Sequence, residues 1–271
     1  EVAQGGRRGA LMLTIDVHHP EIRTFVNIKR DLKKVTGANI SIRLTDEFMQ
    51  AVKDGGKVHL RFPVQQDAVH TVENWVDAKE LWHEIIEAAW ASAEPGLLFW
   101  DTVKKRTPTE AYPEYRSTST NPCGEIVLSP YDSCRLLLVN LYKFVKNPFT
   151  SAAAYDNEGL KDVVIKAQRL MDDLIDLEIE AVDKIIAKIQ NDPEPEDVKQ
   201  SELNLWNKIR SAALGGRRTG LGITALGDAL AAMGFVYGSK VSIEMTETLY
   251  RTLAVSAYKS TIQMAKERGA F

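Results

Sequence analysis

Apolar positions along this chain alternate between short runs and helical stripes. Residues 9–16 hold Ala10, Leu11, Met12, Leu13 and Ile15 in one run, which predicts a buried strand. Pro20 opens a short helix to Ile28, because proline suits a first helical turn. Residues 39–45 alternate Ile40, Ile42 and Leu44 and predict a second strand, with Asp46 as the cap of a helix through Val52. After the turn Asp54-Gly55-Gly56, residues 57–64 predict a strand with Val58, Leu60 and Phe62 on one face. Leu81, Trp82, Ile85, Ile86, Ala89 and Trp90 recur at helical spacing within 77–93, which puts both tryptophans in the core. Residues 97–100 form a short strand, 104–120 a polar loop, and the apolar run over 135–142, with Leu136, Leu137, Leu138, Val139 and Leu141, a core strand.

The second half is more helical. A stripe from Leu160 to Ile179 predicts one long helix over 158–190, which Asp192-Pro193-Glu194-Pro195 ends. A helix over 198–214, a basic glycine-rich turn at 215–220, a strand at 221–224 and helices at 226–233 and 243–266 follow. Strands alternating with helices give an α/β class.

Composition narrows the partners. With 34 Lys+Arg against 37 Asp+Glu the net charge is −3, so no global basic field draws a nucleic-acid polymer or an anionic membrane. Apolar runs fall well short of the ~20 residues of a membrane helix. Two cysteines in 271 residues point to a reducing, cytoplasmic setting. The chain opens without an initiator Met directly into an apolar strand and stops just after a helix, so it is expected to be an internal piece of a longer protein.

Candidate chemistry concentrates in Ser119-Thr120-Asn121-Pro122-Cys123-Gly124-Glu125-Ile126, where an amide, a thiol and a carboxylate occupy alternating positions. Cys134 lies eleven residues further on. From spacing alone, a surface turn carrying a small apolar cysteine is the commoner reading of such a stretch. A Cys123–Cys134 disulfide could close, at about 3 kcal/mol in the chain-entropy model, but would consume the reactive thiol.

The stretch, with Tyr131-Asp132-Ser133-Cys134-Arg135-Leu136 and Val139-Asn140-Leu141, resembles the active-site signature of the ribonucleotide reductase large, catalytic chain. Gly5-Gly6-Arg7-Arg8-Gly9-Ala10, His19-Pro20-Glu21-Ile22, Gly37-Ala38-Asn39-Ile40-Ser41-Ile42, Glu94-Pro95-Gly96-Leu97-Leu98-Phe99-Trp100-Asp101 and Gly216-Arg217-Arg218-Thr219-Gly220-Leu221-Gly222-Ile223 agree with that family in the same order. The wording Asn-Pro-Cys-Gly-Glu is most similar to its adenosylcobalamin-dependent class II branch.

The resemblance implies a ten-stranded α/β barrel, built of two half-barrels with a central finger loop, of which residues 1–271 would be a portion incomplete at both ends. It places Cys123 at the loop tip, in the middle of the closed sheet, as the transient thiyl radical that takes the 3′-hydrogen of a ribonucleotide. Glu125 becomes the general base on the 3′-hydroxyl, and Asn121 orients the ribose hydroxyls. Cys134 is one of the two thiols that reduce the substrate. The radical comes from adenosylcobalamin, or alternatively from a separate metal-containing subunit. The cations Lys29, Arg30, Lys33 and Lys34, in a loop over 29–38, would sense a deoxynucleotide or ATP effector, and Arg7 and Arg8 would contact nucleotide phosphate. Arg217 and Arg218 suit phosphate or a salt bridge equally. A thioredoxin-like reductant and a homodimer complete the implied partners.

The chain departs from the full pattern: no cysteine precedes Cys123, and a Ser/Thr-rich phosphate loop is expected beyond Phe271. The 271-residue chain is therefore expected not to turn over alone. The alternatives are a non-catalytic nucleotide-binding regulator on the same barrel and a glycyl-radical-type barrel enzyme. A regulator has no need of all three groups at 121, 123 and 125, and the glycyl-radical kind needs a radical glycine near a C-terminus that the sequence does not show. His18, His19, His59, His70 and His83 show no metal-binding spacing, and Asp172-Asp173 and Glu178-Glu180 diverge on a helix, so no metal site is expected.

Overall fold

A computed structural model describes residues 9–31 and 33–271. The chain divides into two compact units, Glu1–Pro130 and Tyr131–Phe271. The resemblance to an α/β family holds at the level of mixed helices and parallel strands.

In the first unit, β1 (Leu11–Asp16), α1 (Ile22–Asn27), β2 (Ala38–Leu44), α2 (Asp46–Asp54), β3 (Lys57–Phe62), β4 (Val72–Asp77), α3 (Ala78–Ser92), β5 (Gly96–Phe99), α4 (Trp100–Arg106), β6 (Ser119–Thr120) and β7 (Val127–Leu128) follow in order. Strands β1, β2 and β5 make one parallel sheet with β2 in the centre. The two faces of β2 differ because side chains alternate along a strand. Ala38, Ile40, Ile42 and Leu44 are all buried, and the last two pack in one core with Ile22, Val26, Phe48, Leu81 and Ile85 from α1, α2 and α3. Asn39, Ser41 and Arg43 form the opposite face, in register with Met12, Thr14 and Asp16 of β1. One side of the sheet is therefore apolar and covered by helices, and the other is largely polar.

Several local expectations are corrected here. Thr45, not Asp46, caps α2: its side chain accepts from Phe48 N at 3.1 Å, an interaction worth about 1 kcal/mol, and Asp46 lies in the first turn. Trp90 is 87% exposed. It lies nine residues beyond buried Leu81, about half a turn around a helix of 3.6 residues per turn, and so faces away from Leu81 and Ile85. Trp82 does pack against the core, edge-on to Phe48. Phe62 is 48% exposed at the end of its strand. The sequence reading missed β4, which pairs antiparallel with β3 and whose polar composition hides the alternation. The 104–120 segment, expected as loop, holds the end of α4 and all of β6.

The second unit carries β8 (Leu136–Asn140), β9 (Val145–Lys146), β10 (Ala154–Tyr155), α5 (Asn157–Asn191), α6 (Glu196–Gly216), β11 (Gly220–Thr224), α7 (Leu226–Ala232) and α8 (Lys240–Arg268). Strands β8 and β11 pair in parallel, and α5 packs against both α6 and α8. Val139, Leu141, Leu160, Val164, Leu249 and Leu253 form the core. On β8 only alternate residues turn inward, so Leu136 and Leu138 stay exposed rather than being core as expected. Helix α6 runs on through Gly216, past the turn read from the glycines. Among the described residues no helix is long and apolar enough to cross a membrane.

Tyr155 reports on this core. Burial, with the Asp156 carboxylate beside it, pushes its phenol up from 10.0 to about 12, and its hydroxyl donates to Leu141 O at 3.2 Å. The folded state holds the phenolic proton more tightly than the unfolded chain. The associated stability is complete below pH 10.0 and is lost as pH rises through about 12. Denaturation midpoints measured between pH 9 and 12 should fall more steeply for the parent than for Tyr155→Phe.

Candidate active site

The central stretch forms the connection of a small hairpin. Strands β6 and β7 pair antiparallel, and residues 121–126 link them. Gly124 N donates to Asn121 O at 3.0 Å, closing a tight turn with Pro122 and Cys123 at its corners. Proline favours the first corner because its φ is already fixed there. Gly124 has φ +81°, a conformation in which a side chain would be strained. Asn121 closes the loop from both sides: its backbone N donates to Ile126 O at 3.0 Å and its Oδ1 accepts from Ile126 N at 2.9 Å. Because Oδ1 faces an N–H, Nδ2 must be the outward group, and it makes no hydrogen bond among the described residues. The Cys123 thiol is exposed, as is the Glu125 carboxylate, and neither has a partner among the described residues.

The hairpin is fastened to the polar face of the parallel sheet. Thr14 Oγ1 and Ser119 Oγ share a hydrogen bond of 3.2 Å, Asn39 Nδ2 donates to Pro122 O at 2.7 Å, and Arg43 Nη1 donates to Thr118 O at 3.0 Å. All three anchors project from the same face of β1 and β2. Thr14 and Arg43 also line an open cleft of about 410 Å³ with Asp16, His19 and Phe62. The sequence expectation of a sulfur enclosed by a closed sheet is not met by the described strands. A barrel strand needs a neighbour on each side, whereas β1, β5, β8 and β11 each have one.

The dual role of Asn121 gives a test. Asn121→Asp keeps an oxygen for Ile126 N and should leave the hairpin intact while removing the outward donor. Asn121→Leu should strand the Ile126 N–H at a cost of about 1–3 kcal/mol. Amide exchange at Ile126 should be unchanged in the first variant and faster in the second.

Cys134 lies just before β8, and neither cysteine is in a disulfide. Its sulfur would stand 3.4 Å from a Cβ placed on Gly220, and the same Cβ would meet Arg135 O at 2.9 Å, so only glycine lets β11 approach here. Arg135 is buried beside it and grips Glu178 with two nitrogens, the Nη2–Oε1 contact being 2.7 Å. Its Nη1 donates to Ser133 O and Arg218 O, both at 3.2 Å, while Arg218 pairs with buried Asp132.

The basic candidates divide. Lys29 is held by Ala38 O and the Glu94 carboxylate, which also accepts from Ile40 N at 2.9 Å. Arg30 pairs with Glu87 at 3.2 Å and Lys34 lies 3.9 Å from Asp31, both exposed. The Lys33 side chain makes no hydrogen bond or ion pair among the described residues, and Arg7 and Arg8 lie outside them. Of the two readings of Arg217 and Arg218, the salt bridge is what the structure holds: Arg217 bonds Asp172 at 2.7 Å and Asp176 at 2.8 Å. Asp172, Asp173 and Asp176 do converge, against the expected divergence, but Arg217 and Arg268 neutralise them. Contrary to the spacing argument, His59 and His70 also converge, with Glu73, because the unrecognised strand β4 folds back on β3.

Comparison with known proteins identifies the family. A family model described as the ribonucleotide reductase barrel domain matches residues 2–271. The chain is 33% identical over 272 residues to a vitamin B12-dependent ribonucleoside-diphosphate reductase of Mycobacterium tuberculosis (strain CDC 1551 / Oshkosh), covering 100% of this chain and 34% of that protein. It is 30% identical to the protein of the same name from Thermoplasma acidophilum, with 100% and 31% covered. A vitamin B12-dependent ribonucleotide reductase of Streptomyces coelicolor is 28% identical over 296 residues, with 100% and 27% covered. The chain thus spans about a third of the length of the curated relatives it matches.

Proposed function

Since this chain belongs to the ribonucleotide reductase barrel-domain family, we propose that it carries the radical-bearing loop of an enzyme that reduces ribonucleotides to 2′-deoxyribonucleotides. The observation that supports this most is the hairpin itself: an amide donor, a thiol and a carboxylate, all open, on a rigid turn pinned to the polar face of a parallel sheet. A surface turn without chemistry has no need of three anchors from one sheet face. In this reading residues 1–271 are a portion of a ten-stranded barrel and the hairpin is its finger loop.

Cys123 Sγ, as a thiyl, takes the 3′-hydrogen of the ribose. Glu125 removes the proton of the 3′-hydroxyl as general base, which requires hydrogen-bond reach. Asn121 contributes its Nδ2 donor to a ribose hydroxyl, its Oδ1 being committed to the loop. The 2′-hydroxyl leaves as water while a dithiol gives up two electrons and becomes a disulfide, and Cys134 is one of the two thiols. The relatives named B12-dependent point to adenosylcobalamin, which when bound supplies the radical equivalent. An exposed, unpartnered thiol at a turn corner fits a partner that must reach the sulfur directly. The substrate class is a ribonucleoside diphosphate, after the relatives' names. A thioredoxin-like reductant, pairing of two copies and a cytoplasmic setting accompany the reading. Lys33 and Lys34, exposed and at most loosely paired, and Arg30, whose pair with Glu87 is exposed, suit an effector phosphate better than Lys29, which is already engaged.

The decisive assay uses the full-length protein that contains this chain, with a ribonucleoside diphosphate, adenosylcobalamin and a dithiol. Deoxyribonucleotide should accumulate with one disulfide formed per turnover. Nucleotide binding without any product would instead favour the regulator.

A further inference from the structure

The β3–β4 hairpin gathers two imidazoles and a carboxylate outside the site just described. His59 lies on β3, Glu73 on β4, and His70 in the connection between them. His59 is opposite Trp75 and Arg61 is opposite Glu73, so His59 and Glu73 are diagonal neighbours across the ladder. Glu73 Oε1 lies 3.3 Å from His59 Nε2 and 3.0 Å from His70 Nδ1.

The hydrogen bonding around this group fixes its donor character. His70 Nε2 faces Gln65 O at 3.0 Å. A carbonyl oxygen only accepts, so Nε2–H donates to it; Nδ1 faces the acceptor oxygen of Glu73 at 3.0 Å, where without a metal it must also donate and where a bound metal would take the place of that proton. A ring nitrogen that donates to a backbone carbonyl while its partner nitrogen faces inward is the usual support for a metal-ligating histidine. The His59 ring is held by stacking on Trp75, with centroids 4.5 Å apart and planes at 7°. Arg61, opposite Glu73, is turned elsewhere: its Nε donates to Val64 O at 3.0 Å and its Nη2 lies 3.9 Å from Glu47. No guanidinium or ammonium neutralises Glu73 among the described residues, in contrast to the three aspartates on α5, which two arginines already hold.

We propose that His59, His70 and Glu73 form a binding site for a zinc-like divalent metal that clips the 63–71 connection to its hairpin. Zinc bound at about 2.0–2.1 Å in a tetrahedron has ligand–ligand edges of about 3.3 Å. The two distances to Glu73 match that edge, and all three ligand atoms lie within 4.8 Å of one another. Two imidazoles with one carboxylate select a borderline metal over magnesium or calcium, which prefer all-oxygen shells. Glu73 is half-exposed, so solvent supplies the fourth position. The role is structural: the site ties the nine-residue connection to the two strands that it joins.

The test is titration of the chelator-stripped full-length protein that contains this chain with CoCl2 and, by calorimetry, with ZnCl2, each read as the difference from Glu73→Gln. One equivalent of Co2+ should produce the intense visible ligand-field bands of a tetrahedral site, and Zn2+ should displace it. His70→Ala and His59→Ala should each weaken binding by more than about tenfold, since even outer-shell changes cost that much. The near-isosteric Glu73→Gln should do the same without altering the far-ultraviolet circular dichroism, which keeps the result readable if a histidine variant fails to fold. His83→Ala, on α3, should change nothing. Absence of a stoichiometric tetrahedral spectrum, or affinity unchanged in Glu73→Gln, would overturn the site.

Discussion

Replacing Cys123 by serine in the full-length protein is expected to abolish deoxyribonucleotide formation, a loss of more than about a thousandfold. The hydroxyl is nearly the size of the thiol, and the position is an exposed turn corner, so folding should not suffer. Cys134→Ser should behave differently. It removes a reducing equivalent but leaves the hydrogen-abstracting sulfur, so release of the 3′-hydrogen should persist while multiple turnover stops. Electron paramagnetic resonance with adenosylcobalamin and nucleotide separates the two: the sulfur-centred signal should vanish in the first variant and remain in the second. Reductase activity surviving in Cys123→Ser would sink the assignment of the loop.

Arg135→Ala is expected to be the most damaging substitution for stability in the second unit, at about 3–5 kcal/mol. The arginine side chain is 5% exposed and Asp132 is 3% exposed. Removing the guanidinium leaves Glu178 without its two-pronged partner and two backbone carbonyls without a donor. Arg135→Lys should recover only part of the loss, because an ammonium cannot reproduce the planar fork. Urea unfolding of the three proteins, with Glu178→Gln and the double variant to close a thermodynamic cycle, measures the coupling. A change below about 1 kcal/mol in Arg135→Ala would place the pair among ordinary surface ion pairs. Because Arg135 follows Cys134 directly, the same network fixes the backbone on which that thiol rides.

Much of this molecule was legible in residue order. The alternation at Ile40, Ile42 and Leu44, the stripe through α5 and the Pro/Gly punctuation around Cys123 each depend on a few neighbouring residues, and local sterics and periodicity fix them. The motif around Cys123 and its companions along the chain were enough to place it in its family. What residue order could not supply is pairing between distant segments. That Thr14, Asn39 and Arg43 share a face and hold the hairpin depends on β1 and β2 lying parallel in one register. That Asn121 has only its nitrogen to offer depends on where Ile126 N–H falls. Trp90 looked like core because its helix carries two apolar faces, and only packing chose between them. The convergence of His59, His70 and Glu73 was invisible because β4 is too polar to announce itself, and ladder partners are set by the whole sheet rather than by spacing along the chain.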